Sequence, residues 1–340
     1  MKLAAISMIR DEADIIVPFL RHLAALFDIV FLLDQRSSDG TGEVMRKACA
    51  VRENWFCYFC DFAGRHQKEV SSVFMQKAFE QGADAVFFID SDEFLGVASK
   101  AALQEAVYLL NESKAVGVFP WRACVPTTFD EWHFDPSAPL WVANQNATMK
   151  KIAISRSIFS SIPEIRVSQG NHRVIPLEGK DIQRMQLGHF FHIPVRSRQQ
   201  LIQKVFISVI ASFAKNNPMK IEGFHKRQIL EIIADQDLSD DVLASISGRF
   251  SEMRKFVCWG RLVELEQHGF TRRTLDIPIA DIPLPLFPRP DLNRIVARCL
   301  RDFELEKLED GEGSLQIDGD VIRFQRTPAP EALLQRMTTS

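Results

Sequence analysis

Four short apolar runs lie in the first ninety residues, and each is continuous rather than alternating. Continuous runs of this length predict strands that are buried on both faces of a sheet. The segments between them carry apolar residues at helical spacing. The predicted strands span 3–9, 28–33, 55–60 and 85–89, and the predicted helices span 13–27, 41–50 and 67–81. This alternation predicts βαβ units and a mostly parallel, Rossmann-like α/β sheet.

The rest of the chain divides by composition. The middle, about 115–195, mixes strand-like runs with loops, and a helical pattern starts at Ser197. The stretch 276–290 is rich in proline, which predicts an extended connector, and LQIDGDVIRF predicts a hairpin that turns at Asp318-Gly319. We therefore predict three parts: a catalytic domain at 1–197, a helical region at 198–275, and a Pro-rich connector with a tail at 276–340.

Composition and charge favour an ordinary soluble protein. Hydrophobic residues make up 46% and charged residues 25%, and the net charge is −3. Such a weak net charge argues against nucleic acid as a partner. No apolar stretch approaches the ~20 residues that a membrane-spanning helix needs, and no signal-peptide pattern is found, so we expect a cytoplasmic protein. Peripheral contact with a membrane stays open.

Charged residues collect where the predicted strands end. Arg10 follows the first strand, Asp34 ends the second, and Asp90 and Asp92 end the fourth, inside FFIDSDEFL. The carboxyl ends of parallel strands form the edge at which such sheets bind ligands. In an extended chain Asp90 and Asp92 face the same way, and oxygen ligands suit a hard divalent cation. The alternative is a turn in which an Asp caps a helix.

The second strand leads into LLDQRSSDGT, 32–41. A helix cap and a tight turn account for Ser38, Asp39 and Gly40. They do not account for Asp34, whose carboxylate could accept the imide N–H of a uracil. The segment is therefore a candidate nucleotide-base loop.

In this order and spacing, the motifs resemble the family 2-type glycosyltransferases with a GT-A fold. The matching segments are IRDEADII, LDQRSSDGT, FFIDSDEF as the DxD motif, and a later His192 followed by Arg196-Ser197 before a helix. A bacterial subgroup with a D-x-D-E-F motif is the most similar, and the resemblance covers about 1–210. The chain departs from the family at Gln35 and Arg36, and no counterpart of the Glu-Asp pair that is catalytic in many family 2 enzymes can be placed.

The resemblance implies a role for each matching residue. Asp34 would contact the base and Asp39 would shape its loop, while Asp90 would face the ribose or the metal. Asp92 would be the principal metal ligand, and His192 a third ligand or a direct contact to the diphosphate. The implied cofactor is Mn²⁺ or Mg²⁺.

The implied reaction is transfer of a sugar from a nucleoside-diphosphate donor, with UDP favoured, to a glycan or lipid-linked acceptor, as in polysaccharide biosynthesis. Arg10 and Arg196 would assist at the nucleotide. An inverting transfer needs a base, for which Glu131 is the candidate. Two alternatives stay open: a non-catalytic sugar- or nucleotide-binding protein on the same scaffold, and a phosphatase of the haloacid dehalogenase type. The latter expects its Asp-x-Asp on the first strand, not the fourth.

Overall fold

The computed structural model covers the 340-residue chain. It describes 1–60, 67–130, 133–162, 164–175, 182–213, 229, 232–233, 238–250, 264–291, 312–317 and 320–325.

The N-terminal half forms a parallel sheet. Its strands are β1 (Leu3–Ile9), β2 (Ile29–Asp34), β3 (Trp55–Phe59) and β4 (Ala85–Phe88), in the order β3-β2-β1-β4. All three pairings between them are parallel. The connecting helices are α1 (Ile16–Leu26), α2 (Thr41–Ala50) and α3 (Gln67–Glu80). The strand–helix alternation predicted from the apolar runs is confirmed, with boundaries shifted by at most three residues.

The second half extends this sheet with antiparallel strands. β8 (Lys150–Ser155) pairs with β4, and the order continues through β6 (Val116–Pro126), β7 (Leu140–Ala143) and β13 (Phe270–Arg273). The remaining described elements are β5 (Glu93–Leu95), α4 (Lys100–Glu112), α5 (Arg156–Ser161), β9 (Arg166–Val167), a 3-10 turn (Gln169–Asn171), β10 (Val174–Ile175), β11 (Arg184–Gln186), β12 (Phe190–His192), α6 (Arg198–Phe213), α7 (Asp240–Arg249), β14 (Glu312–Ile317) and β15 (Asp320–Gln325).

Each face of the sheet packs against its own hydrophobic cluster. Along β1, Leu3 and Ala5 join the cluster that contains α1 and α2, whereas Ala4 and Ile6 join the cluster that contains α3. Because successive side chains of a strand point to opposite faces, both faces of the sheet are covered. This confirms the α/β class and explains why the strands read as continuous apolar runs.

The predicted C-terminal hairpin is also present. β14 and β15 pair antiparallel, with Ile317 opposite Asp320. Helices α6 and α7 come after β12, as the helical pattern after Ser197 predicted, and β13 then returns to the edge of the sheet. The three-part domain division itself stays a prediction. Within the part of the chain that the structure describes, no helix has both the length and the apolar character that crossing a membrane requires.

The Pro-rich segment is extended, as predicted, and it lies along α1. Arg21 Nε donates to the Ile282 carbonyl at 3.0 Å, and Ala280 N–H donates to the Arg21 carbonyl at 3.0 Å. His22 Nδ1 lies 2.8 Å from the Pro278 carbonyl, while His22 Nε2 accepts from Leu95 N–H at 2.9 Å. A neutral ring with its proton on Nδ1 satisfies both bonds. His22 therefore ties the connector to β5.

Burial lowers the pKa of His22 to about 4. A neutral His22 stabilises the fold fully above its ordinary pKa of ~6.5, and this contribution is lost as the pH falls from there toward 4. We expect the wild type to lose, relative to His22→Gln, on the order of 1 kcal/mol of unfolding free energy per pH unit between pH 6 and pH 4.5. Urea denaturation at several pH values measures this difference, and parallel pH curves for the two proteins would contradict it.

Candidate metal and nucleotide site

Three loops meet at the carboxyl edge of the parallel strands. Parallel pairing sets Ile9 of β1 beside Asp34 of β2, and Ile6 of β1 beside Phe88 of β4. The loops that follow β1, β2 and β4 are therefore neighbours. This is the edge at which the sequence places its charged residues.

A buried cluster of possible metal ligands lies here. Asp92, Glu93 and His192 each offer one ligand atom, and these atoms all lie within 4.8 Å of one another. Strand β12 brings His192 to the site, because it pairs antiparallel with β5 and sets His192 opposite Glu93. His192 Nε2 lies 3.8 Å from Asp92 Oδ2. The structure thus brings the predicted residues Asp92 and His192 together.

The His192 ring is held flat against an aromatic neighbour. It stacks on Trp121 with 4.1 Å between ring centroids and 22° between planes. Burial lowers the pKa of His192 to about 4, although Asp92 acts in the opposite direction, so the ring is neutral at pH 7. Neutral imidazole is the form that binds metals. Neither His192 Nδ1 nor Trp121 Nε1 has a hydrogen-bond partner among the described residues.

Lys204 of α6 makes an ion pair with the same carboxylate. Its Nζ contacts Asp92 Oδ2, the oxygen that His192 Nε2 also faces. Burial alone would raise the pKa of Asp92, but Lys204, His192 and Arg196 outweigh it and hold that pKa below its usual range. Asp92 is therefore ionised at neutral pH.

Lys151 compensates the other two acids of the motif. This fully buried ammonium donates to Asp90 Oδ2 at 2.6 Å and to the Gly170 carbonyl at 3.1 Å, and it lies 3.5 Å from Glu93 Oε1. Asp90 also accepts from Gln67 Nε2 at 3.3 Å. Burial raises the pKa of Glu93 well above its ordinary value, against the opposing effect of Lys151. Asp90 lies outside the three-residue cluster, and Glu93 lies within it.

The cluster fits a divalent cation in its chemistry. The Asp92 carboxylate, the Glu93 carboxyl group, which a bound cation would favour in its ionised form, and one neutral imidazole form an oxygen-rich donor set that suits Mn²⁺. Glu93 Oε1 is buried without a hydrogen-bond partner in the described part of the chain. A bound cation would satisfy that oxygen.

Arg196 lies behind the cluster, between two further buried acids. Its Nε donates to Asp14 Oδ2 at 2.5 Å, its Nη2 contacts Glu12 Oε2, and its Nη1 donates to the Ile193 carbonyl at 3.2 Å. Burial raises the pKa of Glu12 to about 7 despite the proximity of Arg196. Arg196 thus joins the loop after β1 to the start of α6, and its predicted contact with a nucleotide stays a prediction.

The loop after β2 is bound to the loop after β1. Asp39 accepts from Ala13 N–H at 2.9 Å, from Thr41 N–H at 3.0 Å and from the Thr41 hydroxyl at 2.7 Å. Asp34 Oδ1 accepts from Ser37 N–H at 2.9 Å. A Cβ at Gly42 would overlap the other oxygen, Asp34 Oδ2, so only glycine leaves room for this carboxylate. Both predicted residues therefore lie in an ordered loop.

Two further residues were predicted to take part in the reaction. Arg10 Nε is 3.6 Å from Asp11 Oδ2, in the loop after β1. Glu131, the predicted base, lies outside the described residues. Their roles stay predictions.

Sequence reasoning missed Lys151 and Lys204 and gave Glu93 no role. A signal for each lysine exists. Lys151 interrupts the apolar strand KKIAIS, and Lys204 lies three residues after Leu201 and one before Val205, which form the apolar face of α6. A lysine on a face that is otherwise buried predicts a buried acid opposite it.

No family model matches the chain, and no curated protein matches it. Among solved structures, the chain is similar to Staphylococcus aureus TarS 1–349, with 14% identity and a TM-score of 0.36 over 97% of this chain and 98% of that one. The same fragment in complex with UDP gives 14% and 0.33 with the same coverage. The mannosyltransferase PcManGT from Pyrobaculum calidifontis, in complex with GDP-Man and Mn²⁺, gives 12% and 0.35 over 75% of this chain and 82% of that one. Similarity at this level carries no functional conclusion.

The Asp39 hydrogen bonds generate a stability prediction. Asn at position 39 keeps one accepting oxygen and replaces the other with a donor, so a buried N–H loses its partner. We expect Asp39→Asn to lower the unfolding free energy by about 1–3 kcal/mol. Asp135→Asn is the matched control, because Asp135 accepts the same pair of bonds from Ser137 N–H and hydroxyl in an exposed turn. Urea denaturation of both variants measures the effect, and an equal loss in both would contradict it.

Proposed function

We propose that the protein is a metal-dependent glycosyltransferase that uses a nucleoside-diphosphate sugar, with UDP as the favoured nucleotide. The observation that carries this proposal is the buried cluster of Asp92, Glu93 and His192 at the carboxyl edge of the parallel strands. The Asp34 loop, which offers a carboxylate for a base, lies at the same edge, with the loop after β1 between it and the cluster. A cation site and a base site at one edge suit a nucleoside diphosphate.

Different residues of the site would bind different parts of the nucleotide. Asp34 would accept from the base, with its carboxylate oriented by Ser37 N–H. Asp39 would keep the base loop against the loop after β1, where Arg10 lies. Asp90, whose side chain is 36% exposed, would reach the ribose or complete the ligand set of the cation. These roles follow the order of the loops along the sheet edge.

The difficult part of the transfer is departure of the nucleoside diphosphate, on which negative charge grows. Asp92, Glu93 and His192 would hold the divalent cation, which neutralises that charge when bound. Trp121 would keep His192 in its orientation by stacking. Arg196, which pairs with Glu12 and Asp14, would hold the loop after β1 against the segment that carries His192. Glu131 stays the candidate base for the acceptor hydroxyl, and the acceptor class is an unidentified glycan or lipid-linked sugar.

A non-catalytic nucleotide- or sugar-binding protein is the second candidate. The observation that favours it is charge compensation: Lys151, Lys204 and Arg196 already pair with the buried acids. Because lysine and arginine already balance the charge of these acids, the site needs no metal ion to be stable. Such a site can bind a ligand without catalysing a transfer. Release of UDP from a panel of UDP-sugars separates the candidates, because only an enzyme turns them over.

The first test of the proposed donor site is a thermal-shift screen. We expect UDP with Mn²⁺ to raise the melting temperature more than either ligand alone, because the cation and the diphosphate bind each other as well as the protein. Ligand at ~100 times its dissociation constant adds about 2.7 kcal/mol of stability. GDP, ADP and CDP serve as matched nucleotides. No Mn²⁺-dependent shift with any nucleoside diphosphate would contradict the proposed donor site.

The two histidines of β12 and its flank offer a matched pair. His192 faces Asp92, whereas the His189 ring lies against Gly96. We expect His192→Ala to weaken Mn²⁺-dependent binding of UDP about tenfold or more, and His189→Ala to change it less than threefold. Calorimetric titration of UDP in the presence of Mn²⁺ measures both. Loss of binding in the His189 variant alone would show that the third ligand is misassigned.

A further inference from the structure

We infer that the Lys204 ammonium occupies the metal position at Asp92 when no metal is bound, and that a divalent metal displaces it. This inference rests on the metal site of the proposed function, and it adds a residue that the motifs do not contain.

The first support is that two cation-binding groups share one oxygen. Lys204 Nζ and His192 Nε2 both face Asp92 Oδ2, and His192 Nε2 is 3.8 Å from it. A metal bound by Asp92 and His192 would lie within roughly 2.0–2.2 Å of its oxygen and nitrogen ligands. An ammonium in contact with the same oxygen would repel a divalent cation at that distance. Lys204 and a metal therefore compete for Asp92.

The second support is the need for a positive charge in the absence of metal. Asp92 is only 5% exposed, and its Oδ2 contacts Lys204 Nζ. A buried carboxylate without a partner is strongly destabilising. Lys204 supplies the missing charge.

The third support is that Lys204 can leave, whereas Lys151 cannot. The Lys204 side chain is 21% exposed, and it makes an ion pair with Asp92. Lys151 is fully buried and is held by Asp90, Glu93 and the Gly170 carbonyl. Lys204 also lies 5.9 Å from the Phe250 ring, which offers the ammonium a resting place after displacement.

The test is calorimetric titration of MnCl₂, without nucleotide, into the wild type, Lys204→Met and Lys204→Arg. Methionine keeps the length of the side chain and removes its charge, whereas arginine keeps the charge. We expect Lys204→Met to bind Mn²⁺ about tenfold tighter than the wild type, and Lys204→Arg to stay within about threefold. Unchanged or weaker binding by Lys204→Met would overturn the inference and leave the metal site intact.

The same titration separates this inference from the proposed function. If neither the wild type nor Lys204→Met binds Mn²⁺, the metal dependence of the proposed function fails, and the inference fails with it. If the wild type binds and Lys204→Met gains nothing, only the inference fails.

A second measurement uses the wild type, since removal of a buried charge can prevent Lys204→Met from folding. Amine acylation mapped by mass spectrometry reports how accessible the amine of each lysine is to the reagent. We expect saturating Mn²⁺ to increase labelling of Lys204 severalfold. Lys100 is the matched control, because its ion pair with Asp28 at 2.5 Å is partly exposed and does not involve the cluster. Equal labelling of Lys204 with and without Mn²⁺ would overturn the inference.

Discussion

The structure depends on positive side chains that pair with carboxyl groups buried at the carboxyl edge of the parallel strands. Glu12, Asp14, Asp92 and Glu93 are each at most 9% exposed, and Asp90 adjoins them. Ionised groups in such a setting need partners. The partners come from elsewhere in the chain: Lys151 from β8, Arg196 from the segment before α6, and Lys204 from α6 itself. Residues 151–204 therefore supply the counter-charges for acids presented by residues 12–93.

This division of charge explains why the site spans both halves of the sheet. β12 brings His192 to β5, and Ile193 N–H donates to the Asp92 carbonyl at 2.9 Å, directly beside the acids. Arg196 follows three residues later and reaches back to Asp14. A cation that binds here would thus join the antiparallel half to the parallel half.

The four parallel strands, their connecting helices and the edge that carries the charged residues could be predicted from sequence, because they follow from local apolar patterns and from where the charges fall between them. The composition of the cluster could not. Alternation along an extended chain places Asp90 and Asp92 on one side, but β4 ends at Phe88 and Glu93 N–H donates to the Asp90 carbonyl at 3.0 Å, which makes 90–93 a turn. Asp90 then pairs with Lys151, and Glu93 stands beside Asp92 and His192. The lysines were missed because their partners lie 61 and 112 residues away along the chain.

The most direct test of this account is anomalous scattering from Mn²⁺ in crystals grown with MnCl₂ and UDP. The account predicts an anomalous peak within about 2.0–2.3 Å of ligand atoms of Asp92 and His192, with the Lys204 ammonium moved off Asp92 and the diphosphate against the metal. A bound diphosphate with Lys204 still on Asp92, and no anomalous peak at the cluster, would contradict it.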